Sequence, residues 1–163
     1  MNRQQILLAL ALSEAGVTMS VGQFDERLVI QKSVCLLQYA GVHLGYRFRW
    51  YLRGPYSTEL TNDAFWLAAH QDKLPEELKG WHLDDESRGR IRKLKALFTG
   101  ASLTKLAKDL ELFASALFII RTGQAKADDC ERISHLLRIN DKPFSVADVS
   151  RAMETFRSYG IAF

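Results

Sequence analysis

The chain has 163 residues, of which 47% are hydrophobic, and its formal net charge is +3. This length and composition predict one globular domain that buries about 70% of the surface its unfolded form would expose. The longest nearly unbroken apolar run, 112–120, is far shorter than the ~20 residues that cross a bilayer, so we expect no membrane association. The weak positive charge permits contact with nucleic acid but does not require it.

The amino terminus predicts a helix and not a secretory leader. Its apolar run, 6–12, is interrupted by Ser13 and Glu14, and no small-residue cleavage site follows. We expect a first helix from about Arg3 to Ala15 that ends at Gly16, in a cytoplasmic protein.

The most informative segment, 24–60, predicts a helix, an aromatic strand and a Gly-Pro turn. The helix is expected from about Glu26 to Gly41, with Asp25 as its N-cap. Apolar residues form a broad buried face on this helix. The other side is expected to be a polar strip open to a partner, made of Arg27, Gln31, Lys32 and Gln38.

Residues 46–52 read YRFRWYL and predict a half-buried strand, because aromatic residues at every second position alternate with arginines and a tyrosine. We expect Gly54 and Pro55 to end this strand, since proline has no amide hydrogen for a ladder. Ser57 then predicts the start of a helix that runs to about Asp72. Its buried side is expected to include Leu60, Phe65, Leu67 and Ala68.

The second half of the chain predicts mainly helices. A charged stretch, 73–85, is the expected irregular connection, and Ser102 and Ser145 predict the starts of two later helices. We therefore expect a mainly α fold in a single domain, 1–163. It would consist of a winged-helix-like unit with a short strand or hairpin at 1–72 and a helical bundle at 85–163.

A basic helix is predicted after the connection. Arg88, Arg92 and Lys95 follow an i, i+4, i+7 spacing, which places them on one helical face that could bind phosphates. The alternative is an ordinary solvated surface opposite Ile91, Leu94 and Phe98.

No motif for catalysis or for a cofactor is apparent. The four histidines are far apart, and the sequence contains no HxxxH, CxxC, glycine-rich phosphate loop or GxSxG motif. Cys35 and Cys130 have apolar neighbours, as is typical of buried thiols in a reducing compartment. We expect no enzyme activity, no metal and no cofactor.

Our first functional hypothesis is a nucleic-acid-binding regulator. Glutamine and lysine can read base edges in the major groove, while arginines on a wing can bind phosphates or enter the minor groove of double-stranded DNA. Arg47 and Arg49 could equally be outward residues that protect an edge strand from pairing with another chain. The predicted nucleic-acid contacts are Arg27, Gln31, Lys32, Gln38, Arg47, Arg49, Arg53, Arg88, Arg92 and Lys95.

The alternative hypothesis is an adaptor or antitoxin-like module that binds a protein partner through the aromatic strand. Its predicted contacts are Trp50, Tyr51 and Tyr56. The Gly-Pro-Tyr-Ser turn can also be read as scaffold, in which Pro55 forms the corner and Ser57 begins the helix. The sequence leaves the oligomeric state open, and a homodimer is possible.

The runs RLVIQKSVCLLQYAG and YRFRWYLRGPYSTEL resemble the YwgA-like family of small prokaryotic proteins, over about a quarter of the chain. The layout is more loosely similar to the Panacea antitoxin domain. The resemblance implies a regulator or an accessory protein associated with mobile elements and defence. The matched positions are Gln31, Lys32, Leu36, Leu37, Phe48, Tyr51, Gly54, Pro55, Tyr56, Ser57 and Leu60.

Overall fold

A computed structural model describes residues 1–100 and 102–163 of the chain. Helices dominate the described part, and two short strands form one antiparallel hairpin. A 3-10 turn, Lys95–Phe98, follows the fifth helix. In chain order the elements are α1 (Arg3–Ala15), α2 (Phe24–Tyr39), β1 (Arg49–Tyr51), β2 (Gly54–Tyr56), α3 (Thr58–Ala69), α4 (Leu74–Glu77), α5 (Asp85–Leu94), α6 (Leu103–Arg121), α7 (Cys130–Ile139) and α8 (Val146–Ser158).

The mainly α fold with a short hairpin is confirmed, since 62% of the residues are helical. Helix α1 has the predicted bounds, and its last turn is closed by Gly16 in the left-handed conformation, with a φ of 72°. Ser57, Ser102 and Ser145 cap helices as predicted, each accepting a backbone N–H of the first turn with its side chain.

The start of α2 differs from the prediction. The helix begins at Phe24, so Asp25 lies inside its first turn and is not the N-cap. Gln23 is the residue before the helix, and its backbone N–H donates to the Glu26 carboxylate at 2.8 Å. Glu26, in the first turn, thus accepts from a backbone amide that has no acceptor within the helix.

The hairpin also differs from the predicted strand. The paired part of the first strand is Arg49–Tyr51, shorter than 46–52, and Pro55 lies within the second strand opposite Trp50. A proline is tolerated there because β2 is an edge strand. The predicted alternation is nevertheless present, since Arg47, Arg49 and Tyr51 are exposed while Tyr46 is buried.

Helices α2 and α6 form the centre of the molecule and pack along each other. Between them they bury most of their residues, including every position from Leu28 to Leu37. Helix α1 packs on α5, α7 and α8 pack on each other and on α6, and the hairpin lies against both α2 and α6. One hydrophobic core runs through all of these contacts.

Helix α3 buries Leu60 and Leu67 as predicted, but Phe65 is 47% exposed. Phe65 instead lines an open groove next to the hairpin. Within the described residues, no helix has the length and apolar character needed to cross a membrane.

Candidate functional site

The polar side of α2 is turned inward, in contrast to the strip that the sequence predicts. Gln31 is 4% exposed and Lys32 is 1% exposed, while Arg27 and Gln38 are half-buried. The prediction that these residues form an exposed strip is therefore wrong for Gln31 and Lys32. Both side chains are used within the protein to hold the hairpin.

Two glutamines of α2 bind the chain on either side of the hairpin. Gln38 Nε2 donates to the Tyr46 carbonyl at 2.8 Å, and Gln38 Oε1 accepts from the Tyr46 amide at 2.9 Å. Gln31 makes the same pair of bonds with Ser57, at 2.8 and 3.0 Å. Because these glutamines are seven residues apart, they lie on one face of α2 and can satisfy backbone groups that lack a strand partner.

Lys32 binds the hairpin between these two points. Its Nζ donates to the Pro55 carbonyl at 2.6 Å. Burial lowers the pKa of Lys32 from 10.5 to about 8, because the charged form loses its hydration inside the protein.

Glu111 of α6 holds the hairpin from the opposite side. Its carboxylate accepts from Lys142 Nζ at 2.9 Å and from an Arg53 guanidinium nitrogen at 3.3 Å. Lys142 Nζ also donates to the Leu52 carbonyl at 2.8 Å. Since Glu111 and Lys142 are 5% and 1% exposed, this is a buried ion pair whose charges compensate each other.

Gly54 allows the hairpin to approach α6 closely. Its φ is 81°, and a Cβ at this position would lie 2.2 Å from Ser115 Oγ. Trp50 packs on the same helix, with its ring 5.6 Å from that of Phe118. The Lys142 ammonium lies 5.6 Å from the centre of the Trp50 ring, within range of a cation–π contact.

Fixed in this way, the hairpin borders an apolar groove against α2 and α3, here called the hairpin groove. The groove has a volume of about 380 Å³. Four large apolar side chains around it are substantially exposed: Phe24 at 52%, Tyr51 at 59%, Leu52 at 76% and Phe65 at 47%. It is lined by Phe24, Arg27, Leu28, Gln31, Lys32, Tyr51, Leu52, Arg53, Gly54, Tyr56, Thr61 and Phe65.

Two arginines border this groove. The guanidinium carbons of Arg27 and Arg53 lie 5.9 and 5.6 Å from the centre of the Phe24 ring. Arg27 donates to the carbonyls of Val21 and Gly22 and has no acidic partner among the described residues. No aspartate or glutamate appears in the described lining, so the charged groups that line the groove are all cationic.

A second cavity of about 560 Å³ lies on the other side of the hairpin, here called the arginine cavity. Tyr51 and Tyr56 line both cavities, and their rings are 5.5 Å apart. The arginine cavity is lined by Arg47, Arg49, Trp50, Tyr51, Tyr56, Ser57, Thr58 and Glu59. The three aromatic residues predicted for partner binding therefore meet at the hairpin.

The basic residues of α5 do not join this surface. Arg92 pairs with Glu14 of α1 at 2.6 Å, and Arg88 pairs with Asp85 at 3.5 Å. Lys95 is exposed, and no residue of α5 lines either cavity. Ile91 and Leu94 are buried on the opposite side, as the solvated-surface alternative expects. The ten predicted nucleic-acid contacts thus divide among the hairpin cavities, the protein interior, and α5 with the 3-10 turn that follows it.

Sequence reasoning missed Glu111 and Lys142, which bind the hairpin from the second half of the chain, and Ser115, against which Gly54 packs. Glu111 did carry a signal: it interrupts a helix whose neighbouring residues, 110 and 112–117, are all buried. An acid on such a face predicts a buried partner. For Leu52 the indication of a functional role is weaker: it is an aliphatic residue at the tip of a hairpin.

The thiols lie apart from both cavities. Cys35 is fully buried, and burial raises its pKa to about 12, which suppresses the reactive thiolate. Cys130 is half-buried at the start of α7, and both cysteines are free. No cluster of possible metal ligands occurs in 1–100 and 102–163.

Comparison with known proteins does not supply a family for the chain. No protein-family model matches it, and neither a curated protein nor a solved structure does so. Its function has to be inferred from the geometry of the hairpin and the two cavities.

Proposed function

We propose that the chain is a non-enzymatic binding module that takes a segment of another protein into the hairpin groove. The observation that carries this proposal is the cluster of four exposed large apolar side chains, Phe24, Tyr51, Leu52 and Phe65, around one concave surface. Exposed apolar patches of this kind, with charged residues at the edge, are typical of protein-binding sites. Aromatic residues and arginine are also the residue types that contribute most to binding energy.

The support beneath the groove favours the same function. Gln31 and Lys32 hold β2 from α2, while Lys142 holds the turn at Leu52 from the other side. A surface held in place before binding loses little conformational entropy when a ligand is bound. The buried polar contacts thus explain how a hairpin of three-residue strands can present a defined binding surface.

A nucleic-acid-binding regulator is the second proposal, and one observation favours it. Arg47 and Arg49 are exposed and have no ion-pair partner within the described chain. They stand beside Trp50 and Tyr51 in the arginine cavity. Cations next to aromatic rings suit phosphates and unstacked bases. Gln31 and Lys32 are buried, so the arginines alone would provide these contacts at the hairpin. The resemblance to the YwgA-like family is compatible with either proposal.

The main proposal can be tested with a displayed library of random dodecapeptides. We expect peptides to be enriched on the wild-type protein and on the Ile139→Glu variant, but not on Leu52→Glu. Ile139 is the matched control, because it is an exposed aliphatic residue, at 62%, outside the groove. Equal enrichment on Leu52→Glu, or no enrichment on any form, would overturn the proposal. Circular dichroism would show that all three forms are folded.

The second proposal predicts salt-sensitive binding of a fluorescent mixed-sequence DNA duplex. In anisotropy titrations, binding should be lost when both Arg47 and Arg49 are changed to Gln. The control is Arg138→Gln with Arg157→Gln, which removes the same charge from exposed positions on α7 and α8. Absence of binding at micromolar protein and low salt would end this proposal.

A further inference from the structure

Resting on the proposed function, we infer that the segment bound in the hairpin groove is acidic as well as apolar, with at least one carboxylate that faces Lys32, Arg27 and Arg53. The apolar cluster alone would accept any hydrophobic segment. The charges of the residues that line the groove select acidic segments from among the hydrophobic ones.

Lys32 is the first reason. It lines the groove, yet it is 1% exposed, so its charge is held where water contributes little. An ammonium group has three donors, and the structure gives Lys32 one hydrogen-bond acceptor, the Pro55 carbonyl. Glu111 is the nearby acid, but its two oxygens accept from Lys142 and Arg53. A carboxylate from a ligand would supply the anionic partner that Lys32 lacks in the described chain.

The arginines at the edge are the second reason. Arg27 is bound to backbone carbonyls only, and the Arg53 side chain is 60% exposed although it touches Glu111. Both guanidinium groups therefore have donors free to bind a carboxylate, in the bidentate geometry that arginine favours. No acidic residue of the described lining opposes them.

The shape of the groove distinguishes a peptide from DNA as its occupant. Phosphates would satisfy the cations, but the exposed rings of Phe24 and Phe65 and the side chain of Leu52 would then stay in contact with water. A peptide with alternating apolar and acidic side chains satisfies both kinds of group. Beyond Tyr51 and Tyr56, such a peptide would reach Arg47 and Arg49 in the arginine cavity.

The library selection also tests this inference. Sequencing the pool that depends on Leu52 should show enrichment of Asp and Glu together with Leu, Ile, Phe or Trp, relative to the starting library. A synthetic peptide from that pool should lose about tenfold or more in affinity when its acids are changed to the corresponding amides. The double variant Arg27→Gln/Arg53→Gln should lose a similar factor for the acidic peptide. The control Arg138→Gln/Arg157→Gln should bind within about twofold of wild type.

The two proposals fail in different ways. If the peptides that are enriched on wild type but not on Leu52→Glu are neutral or basic, the acidic-segment inference is wrong and the proposed function stands. The absence of any pool that depends on Leu52 would overturn both. If light scattering shows a dimer that Leu52→Glu dissociates, the occupant is a second copy of this chain and the inference is wrong. If the double arginine variant unfolds, the loss of affinity can still be measured in two ways. One is the single variant Arg53→Gln, and the other is the peptide whose acids are changed to amides.

Discussion

The side-chain amide of Gln31 binds both backbone groups of Ser57, donating to its carbonyl at 2.8 Å and accepting from its amide at 3.0 Å. Ser57 lies one residue beyond β2, so the glutamine binds its backbone where the strand pairing has ended. Gln38 does the same for Tyr46 before β1. Helix α2 therefore contributes hydrogen bonds to the hairpin through its side chains, and this explains why a Gln-Lys pair and a Gly-Pro-Tyr-Ser turn occur together in one sequence.

Replacing Gln31 with Ala should destabilise the protein by about 1–3 kcal/mol, because the buried amide of Ser57 loses its acceptor, while the Ser57 carbonyl still accepts from the Thr61 amide. Urea denaturation followed by circular dichroism measures this change. Gln124→Ala is the control, since that side chain is exposed and donates only to Thr122. It should cost less than about 0.5 kcal/mol. Equal effects of the two substitutions would contradict the role given to Gln31.

Glu111 and Lys142 should behave as a coupled pair. Glu111→Leu or Lys142→Met alone should lower the free energy of unfolding by about 3–5 kcal/mol, since each leaves a buried charge without its partner. The double variant should lose clearly less than the sum of the two, because neither charge then remains. Chemical denaturation of the four proteins gives the coupling energy. Strict additivity would show that the pair is not energetically linked.

Lys32 should make stability depend on pH. Its pKa is about 8 in the folded protein and 10.5 when unperturbed, so between these values the unfolded chain binds more protons and the free energy of unfolding rises with pH. In Lys32→Met this contribution is absent. The stability of wild type relative to that variant should therefore increase from pH 8 to pH 10.5, by on the order of 3 kcal/mol. A difference that stays constant over this range would refute the assignment.

Gly54→Ala should cost more stability than Gly80→Ala. The two glycines have φ values of 81° and 80°, so both substitutions cause the same backbone strain of about 1 kcal/mol or more. Only at Gly54 would the new methyl group meet a neighbour, Ser115 Oγ at 2.2 Å, whereas nothing lies within 4 Å at Gly80. Thermal denaturation should show the difference. Adding Ser115→Ala should recover part of it, and failure to recover any would place the cause elsewhere.

The boundaries of the elements could be predicted from the sequence where local chemistry determines them. Gly16, Ser102 and Ser145 each end or begin a helix through contacts within a few residues. The alternation at 46–51 gave the exposed and buried sides of the aromatic segment for the same reason. Trp50, Tyr51 and Tyr56 lie together because the hairpin that joins them is local.

The buried side of α2 could not be predicted from periodicity. A helical pattern assigns polar residues to solvent, whereas Gln31 and Lys32 find their acceptors on Ser57 and Pro55, more than 20 residues later. Phe65 shows the opposite failure: its spacing is that of a core residue, but its side chain is substantially exposed. The pairing of Glu111 with Lys142 spans 31 positions and leaves no local signal beyond an acid in an apolar helix.

The bond from Lys142 to the Leu52 carbonyl joins positions 90 residues apart in the chain. During synthesis, this bond therefore cannot form until the chain has been made beyond Lys142. A truncated product that ends before α7 would contain every residue of both cavities and still lack one support of their shared wall. The peptide binding proposed for the hairpin groove would therefore depend on a residue that is made late in synthesis.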